Sequence, residues 1–130
     1  MFEKQFETPY VILVADDNPA IVGLVTRVLR MQGHHVLEAR GGTEALDVVD
    51  SHDGKPLHLL LTDVDMPGTN GIALWQSLRA KRPETKVIFM TGSAEPDDVG
   101  GAPFLRKPFA LDKLIGIVED TLQSSLSCVA

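Results

Sequence analysis

The chain has 130 residues, 44% of them hydrophobic and 23% charged, which is the size and composition of one globular domain, not a disordered or multidomain chain. Eighteen acidic residues against 12 basic ones leave a net charge of -6, a poor balance for holding a polyanion such as DNA. The one cysteine, Cys128, cannot form an internal disulfide, and the longest unbroken apolar run, residues 10–15, falls far short of a membrane span.

Residues 1–9 read as a lead-in closed by Pro9. Glu3, Lys4 and Glu7 deny this lead-in the apolar core of a signal peptide, so the expected compartment is the cytoplasm, with no membrane insertion. Residues 10–15, YVILVA, form a continuous β-branched apolar run that suits a strand buried on both faces, and the run stops at Asp16 and Asp17. Asn18 and Pro19 then supply a cap and a first helical residue. The helix carries Ile21, Val25, Val28 and Leu29 and is expected to end at Gly33. Residues 35–39 read as a second strand. Gly41 and Gly42 turn the chain, and Thr43 is placed to cap a helix carrying Ala45, Leu46 and Val49. Residues 51–56 read as a loop, and residues 58–62 as a third strand that runs into Asp63.

Pro67, Gly68, Asn70 and Gly71 mark a loop, after which Ile72, Leu74, Trp75 and Leu78 define a helix that stops before Pro83. Residues 86–90 predict a fourth strand ending at Thr91, and residues 104–106 a short fifth strand followed by Lys107 and Pro108. A last helix places Leu111, Leu114, Ile115, Val118 and Leu122 on one face. The domain is expected to occupy residues 10–126, leaving 127–130 as a tail. Between Thr91 and the fifth strand only residues 92–102 remain for a whole crossover, close to the minimum of roughly 10 to 12. They include Pro96, Gly100 and Gly101, with Val99 as the one sizeable apolar side chain, so no helix, or about one turn near 96–99, is expected there.

Strands alternating with helices predict an α/β fold, a doubly wound five-stranded parallel sheet with right-handed crossovers. Sites in such sheets lie at the carboxyl ends of the strands. Asp16, Asp17, Asp63, Thr91 and Lys107 all fall on that edge. Each alone is more often a turn or surface residue; their convergence on one edge is what carries the reading. If the first and third strands are neighbours their ends lie about 5 Å apart, and two carboxylates there repel by roughly 3 kcal/mol. Three carboxylates call for a cation or a raised pKa. An all-oxygen set favours a hard ion such as Mg²⁺. The Thr91 hydroxyl and Lys107 ammonium opposite it suit the oxygens of a phosphoryl group, with Asp63 as the nucleophile.

This constellation resembles the receiver domain of two-component response regulators, over nearly the whole chain. The resemblance rests on Asp16-Asp17, on residues 63–71 (DVDMPGTNG), on Thr91, and on Lys107-Pro108-Phe109. It implies a flavodoxin-like sheet in strand order 2-1-3-4-5 and a cis Lys107–Pro108 bond. It implies that Asp63 accepts a phosphoryl group from the phosphohistidine of a sensor kinase or histidine phosphotransfer domain. Asp16 and Asp17, with Asp63 and the backbone carbonyl of Asp65, are then expected to bind Mg²⁺, and Thr91 and Phe104 to act as switch residues. Such a domain is a phosphoacceptor rather than an enzyme, and here more an acceptor within a relay or hybrid kinase than a dimerising DNA-binding regulator. A monomer or weak dimer is expected, because the face of the short crossover is small.

The carboxylate of Asp65 and the absence of a capping side chain at Ala110 depart from the pattern; the second makes the last helix expected to start late. The competing enzyme reading is a phosphohydrolase of the haloacid dehalogenase type using Asp63 and Asp65, against which the early position of Asp16-Asp17 argues. A flavodoxin-like cofactor carrier is opposed by the same two charges, which repel a phosphate. His34, His35, His52 and His58 lack metal-ligand spacing and read as surface. Arg79, Lys81 and Arg82 read as a basic helix end serving the helix dipole, and Trp75 as partly buried packing.

Overall fold

The apolar runs do form strands buried on both faces. In a computed structural model that describes residues 10–68, 70–92 and 100–123, β1 (Val11–Ala15), β2 (His35–Ala39), β3 (Leu59–Asp63), β4 (Lys86–Thr91) and β5 (Phe104–Arg106) make one parallel sheet. Its order is β2-β1-β3-β4-β5. The central pairing sets Ala15 opposite Thr62 and Asp63 opposite Met90, which fixes where the acidic strand ends come to rest.

Four helices cover the sheet among the described residues: α1 (Pro19–Met31), α2 (Gly42–Ser51), α3 (Gly71–Lys81) and α4 (Leu111–Gln123). Alternation along each strand sorts its side chains between two cores. Ile12, Val14, Leu59, Leu61 and Ile88 meet Val25 and Leu29 of α1 and Leu114 and Val118 of α4. Leu13, Leu60 and Phe89 meet Ala45 and Val49 of α2 and Leu74 and Leu78 of α3 on the other side. Each fully buried leucine of this kind contributes about 1.5–3 kcal/mol through removal from water.

The expected Asn18 cap holds at α1, and Asn70, expected only to mark a loop, caps α3. The Asn18 side chain accepts from the Ala20 N–H at the start of α1, and the Asn70 side chain accepts from the Ala73 N–H at 2.8 Å at the start of α3. At α2 the expectation fails: Gly41, not Thr43, is the capping position, and it has no side chain to offer. The Glu44 carboxylate reaches back instead and accepts from the Arg40 N–H at 3.1 Å. That helix also runs on through Ser51, one residue into the expected loop. α4 starts at Leu111, directly after Ala110.

The Lys107–Pro108 bond is cis. The crossover from β4 to β5 ends in Gly100 and Gly101, both at positive φ (64° and 81°), a conformation natural to glycine. The short turn of helix expected near residues 96–99 lies outside the described residues. No helix among the described residues is long and apolar enough to cross a membrane.

Two surface readings and one helix-dipole reading are corrected. His34 is only 5% exposed, and His58 is half-buried with its ring bonded to the backbone of β1. Arg82 is buried as well, and it serves a neighbouring helix rather than the dipole of its own. Its guanidinium donates to the carbonyls of Lys55 (2.7 Å), His52 (2.8 Å) and Val49 (3.5 Å) at the end of α2. Trp75 is half-buried against the second core, with the Arg79 guanidinium 5.9 Å from its ring centre.

Candidate functional site

Parallel pairing of β1 with β3 carries Asp16, Asp17 and Asp63 to one spot at the carboxyl edge of the sheet. Each offers a carboxylate oxygen, and the three oxygens lie within 4.8 Å of one another. Asp16 is fully buried, Asp63 is 5% exposed and Asp17 faces solvent. Asp16 is locked in place at both ends. Its N–H donates to the Ala39 carbonyl at 3.2 Å, prolonging the β1–β2 ladder by one bond, and its Oδ1 accepts from the Asn18 N–H at 3.0 Å. One asparagine therefore caps α1 and orients Asp16.

Asp63 closes β3, and the chain behind it is held close. The Val64 N–H donates to the Met90 carbonyl at 2.9 Å, and the Gly71 N–H donates to the Val64 carbonyl at 2.8 Å. This last bond brings the first residue of α3 against the acceptor strand. A Cβ at position 71 would overlap the Asp63 carbonyl oxygen, which also accepts from Thr62 Oγ1 at 3.0 Å. Glycine is required here by close approach rather than by a special φ.

Lys107 enters from the other side. Its N–H donates to the Thr91 carbonyl at 2.7 Å, and its ammonium lies 2.8 Å from Asp16 Oδ2 and 3.5 Å from Asp63 Oδ1. The ammonium thus bridges the two buried carboxylates. Thr91, fully buried at the end of β4, donates from Oγ1 to Asp65 Oδ2 at 3.4 Å, and the Asp65 N–H donates to Asp63 Oδ1 at 3.4 Å. Both are long for hydrogen bonds and correspondingly weak. Phe104 pairs with Phe89 at the start of β5, half-buried, with the Arg106 guanidinium 5.2 Å from its ring centre.

The electrostatics follow from this crowding. Burial, then the charge of Asp16, pushes the Asp63 carboxyl up to about 6, against the opposing pull of Lys107 and the Asp65 N–H. Burial works against the Lys107 ammonium, but its bonds to Asp16 and Asp63 outweigh this and hold its pKa above the ordinary value. A carboxylate kept anionic with difficulty, an ammonium beside it and a solvent-facing third acid form an acidic pocket able to bind a metal ion. All-oxygen donors with one open side fit a hard divalent cation that keeps some of its water.

All the residues expected at the site from the sequence converge, with Phe104 one strand further out. Two features of the site are not among the expectations from sequence: the Asp65 side chain meets the Thr91 hydroxyl, and Gly71 sets the approach of α3. The first has no signal in spacing alone. The second was visible as a glycine exactly one helix-start after Asn70, a position where any side chain would otherwise be acceptable.

Comparison with known proteins gives a consistent picture. Residues 12–119 match the response regulator receiver domain family. The chain is 35% identical over 119 residues to the sensor kinase CckA of Brucella abortus, covering 87% of this chain but 12% of that protein. It is 33% identical over 120 residues to the transcriptional regulatory protein CpxR of Escherichia coli, covering 88% of this chain and 50% of that one. The chain therefore spans half or less of the length of these relatives. Among solved structures, the receiver domain of the hybrid histidine kinase CckA superposes with a TM-score of 0.76 at 34% identity, covering 87% of this chain and 99% of that one. A CheY-like receiver domain protein from Methanospirillum hungatei, at 24% identity and a TM-score of 0.80 over 92% of this chain and 98% of that one, shares the fold. These likenesses do not favour the haloacid dehalogenase alternative.

Proposed function

This chain belongs to the response regulator receiver domain family of two-component systems, and from that premise we propose that it is a phosphoacceptor that takes a phosphoryl group onto Asp63. The reading is supported above all by one observation: a buried carboxylate, its pKa raised to about 6, lies 3.5 Å from an ammonium and within 4.8 Å of two further acids. In the transfer, an Asp63 carboxylate oxygen attacks phosphorus as the phosphorus–nitrogen bond of a donor phosphohistidine breaks. The donor is a sensor kinase or a histidine phosphotransfer domain.

Asp16 and Asp17, with Asp63 and the backbone carbonyl of Asp65, are the residues that would hold Mg²⁺. When bound, the ion neutralises charge that builds on the transferred group. Lys107 already bridges Asp16 and Asp63 and is placed to accompany the new charge. The Thr91 hydroxyl leaves Asp65 to bond a phosphoryl oxygen, and Phe104, paired with Phe89 two residues back along the same strands, registers the move. The same residues give a stoichiometric acceptor rather than a turnover enzyme, acting in the cytoplasm without direct contact to nucleic acid, as a monomer or weak dimer.

Incubation of the chain with acetyl phosphate and Mg²⁺ tests this. One phosphoryl group should appear by intact mass, and none on Asp63→Asn. Label on that variant at unchanged stoichiometry would sink the assignment. Asp17→Ala should lose more Mg²⁺ affinity than Asp16→Ala, because Asp16 is spoken for by Lys107 and Asn18 while Asp17 faces solvent; equal losses in a metal titration would count against the ligand roles. Sustained release of phosphate from a generic ester would instead favour a hydrolase.

A further inference from the structure

The opposite edge of the sheet carries a second ionisable cluster that the phosphoacceptor reading does not use. Tyr10, just before β1, packs between two imidazoles. The His58 ring stands edge-on to it with centres 5.1 Å apart, and the His34 ring is tilted at 5.8 Å. His34 sits between α1 and β2, and His58 immediately before β3, so the cluster joins the entry points of three adjacent strands.

One contact makes this more than packing. The Val11 N–H donates to His58 Nδ1 at 2.9 Å, while the His58 N–H donates to the Val11 carbonyl at 2.9 Å. The imidazole thus takes the place of a main-chain acceptor in the first rung between β1 and β3. Only a ring deprotonated at Nδ1 can do so. Adding a proton there turns the acceptor into a donor facing another donor, and the rung must open. We propose that Tyr10, His34 and His58 form a proton-operated latch that ties the start of β1 into the sheet at neutral pH and releases it in mild acid.

The surroundings agree with the sense of the switch. Glu84, ahead of β4, faces His58 and favours its charged form; Glu119 of α4 does the same for His34. Burial outweighs both carboxylates, and for His34 the neighbouring His58 adds to it, so both rings have pKa values below the ordinary one. Lys86 of β4 is the nearby cation: its N–H donates to the His58 carbonyl at 3.0 Å and its ammonium is engaged by the Thr121 carbonyl at 3.0 Å. The rings are therefore neutral while the latch is closed. Opening it exposes them, restores their ordinary proton affinity and lets acid hold the open form.

Amide hydrogen exchange followed by NMR on the whole chain, without phosphodonor or divalent cation, tests the latch apart from the phosphoacceptor chemistry. After correction for intrinsic rates, protection at Val11 should fall by about tenfold between pH 7 and pH 5.5. Leu60 and Leu61, in the middle of β3, should not follow. His58→Asn keeps a side-chain acceptor that does not titrate, so the pH step at Val11 should shrink in that variant to the share that His34 supplies, about half on a logarithmic scale. Constant protection at Val11 through the histidine titration would overturn the proposal, as would an unchanged step in His58→Asn. Should His58→Asn fail to fold, the wild-type titration decides alone, and His34→Gln should halve the step on a logarithmic scale by removing one of the two titrating rings.

Discussion

Asp63 and Gly71 show how narrow the tolerances are at single residues. The Asp63 carboxyl is ionised at neutral pH against burial and against Asp16, so the folded chain carries strain that the unfolded chain does not. Asp63→Asn removes that charge and is expected to stabilise the metal-free domain at pH 8 by on the order of 1–2 kcal/mol, measured by urea unfolding. A variant less stable than the wild type would show that the ion pair with Lys107 outweighs the crowding. Gly71→Ala should act in the opposite direction. Its methyl group would overlap the Asp63 carbonyl oxygen, and because that atom is backbone, the start of α3 must move. A loss of about 2 kcal/mol is expected, with slower phosphorylation in the same variant because the displaced carbonyl belongs to the acceptor. Unchanged stability and phosphorylation would show that α3 can shift freely.

Among the elements, the carboxyl end of α2 depends on a residue supplied by the end of α3. Arg82→Ala takes the guanidinium away from the Lys55 and His52 carbonyls, of which the second keeps the Lys55 N–H at 3.1 Å, and should cost about 2 kcal/mol. Arg82→Lys should recover less than half of that, since an ammonium on a flexible stem cannot reproduce the planar fork; full recovery in thermal unfolding would show that charge alone suffices. The strands and most helices were legible in the sequence because doubly buried strands are unbroken apolar runs, helices repeat their apolar residues at helical spacing, and Asn18 with Pro19 announces α1. Every charged or hydroxyl-bearing residue of the candidate site was legible too, since a parallel sheet gathers its strand ends on one edge. What escaped detection was long-range and polar. Arg82 looks like any basic helix end until α2 is packed beside it, and His34 and His58 read as surface because imidazole has no fixed preference for water. The Thr43 cap failed because Gly41 and Glu44 satisfy the helix start between them without a hydroxyl.

For the whole molecule, the two ends of the sheet respond to acid with opposite signs. Asp63 has a folded pKa of about 6, above its ordinary 3.8; its contribution to stability is fully present below about 3.8 and lost as pH rises through 6. The buried histidines have folded values below 6.5; their contribution is present above 6.5 and lost as pH falls through the folded values. The two partly cancel in the wild type between pH 5 and 7. Removing one should expose the other, so the melting temperature of Asp63→Asn should fall more steeply on acidification from pH 7 to 5 than that of the wild type. Parallel profiles would mean that one of the two groups is not titrating in this window. The burial of β1 and β3 on both faces has a further consequence, for fidelity of assembly. Side chains that are greasy on both sides cannot tell one alignment from the next, since a slip by one residue exchanges one oily surface for another. Only the ends of these strands differ in kind, and a slip of β3 toward its amino end would drag the carboxylate of Asp63 into hydrocarbon. The charges that await a phosphoryl group thus also proofread the sheet: the chain finds its alignment by keeping Asp63 beside the Lys107 ammonium rather than among apolar side chains.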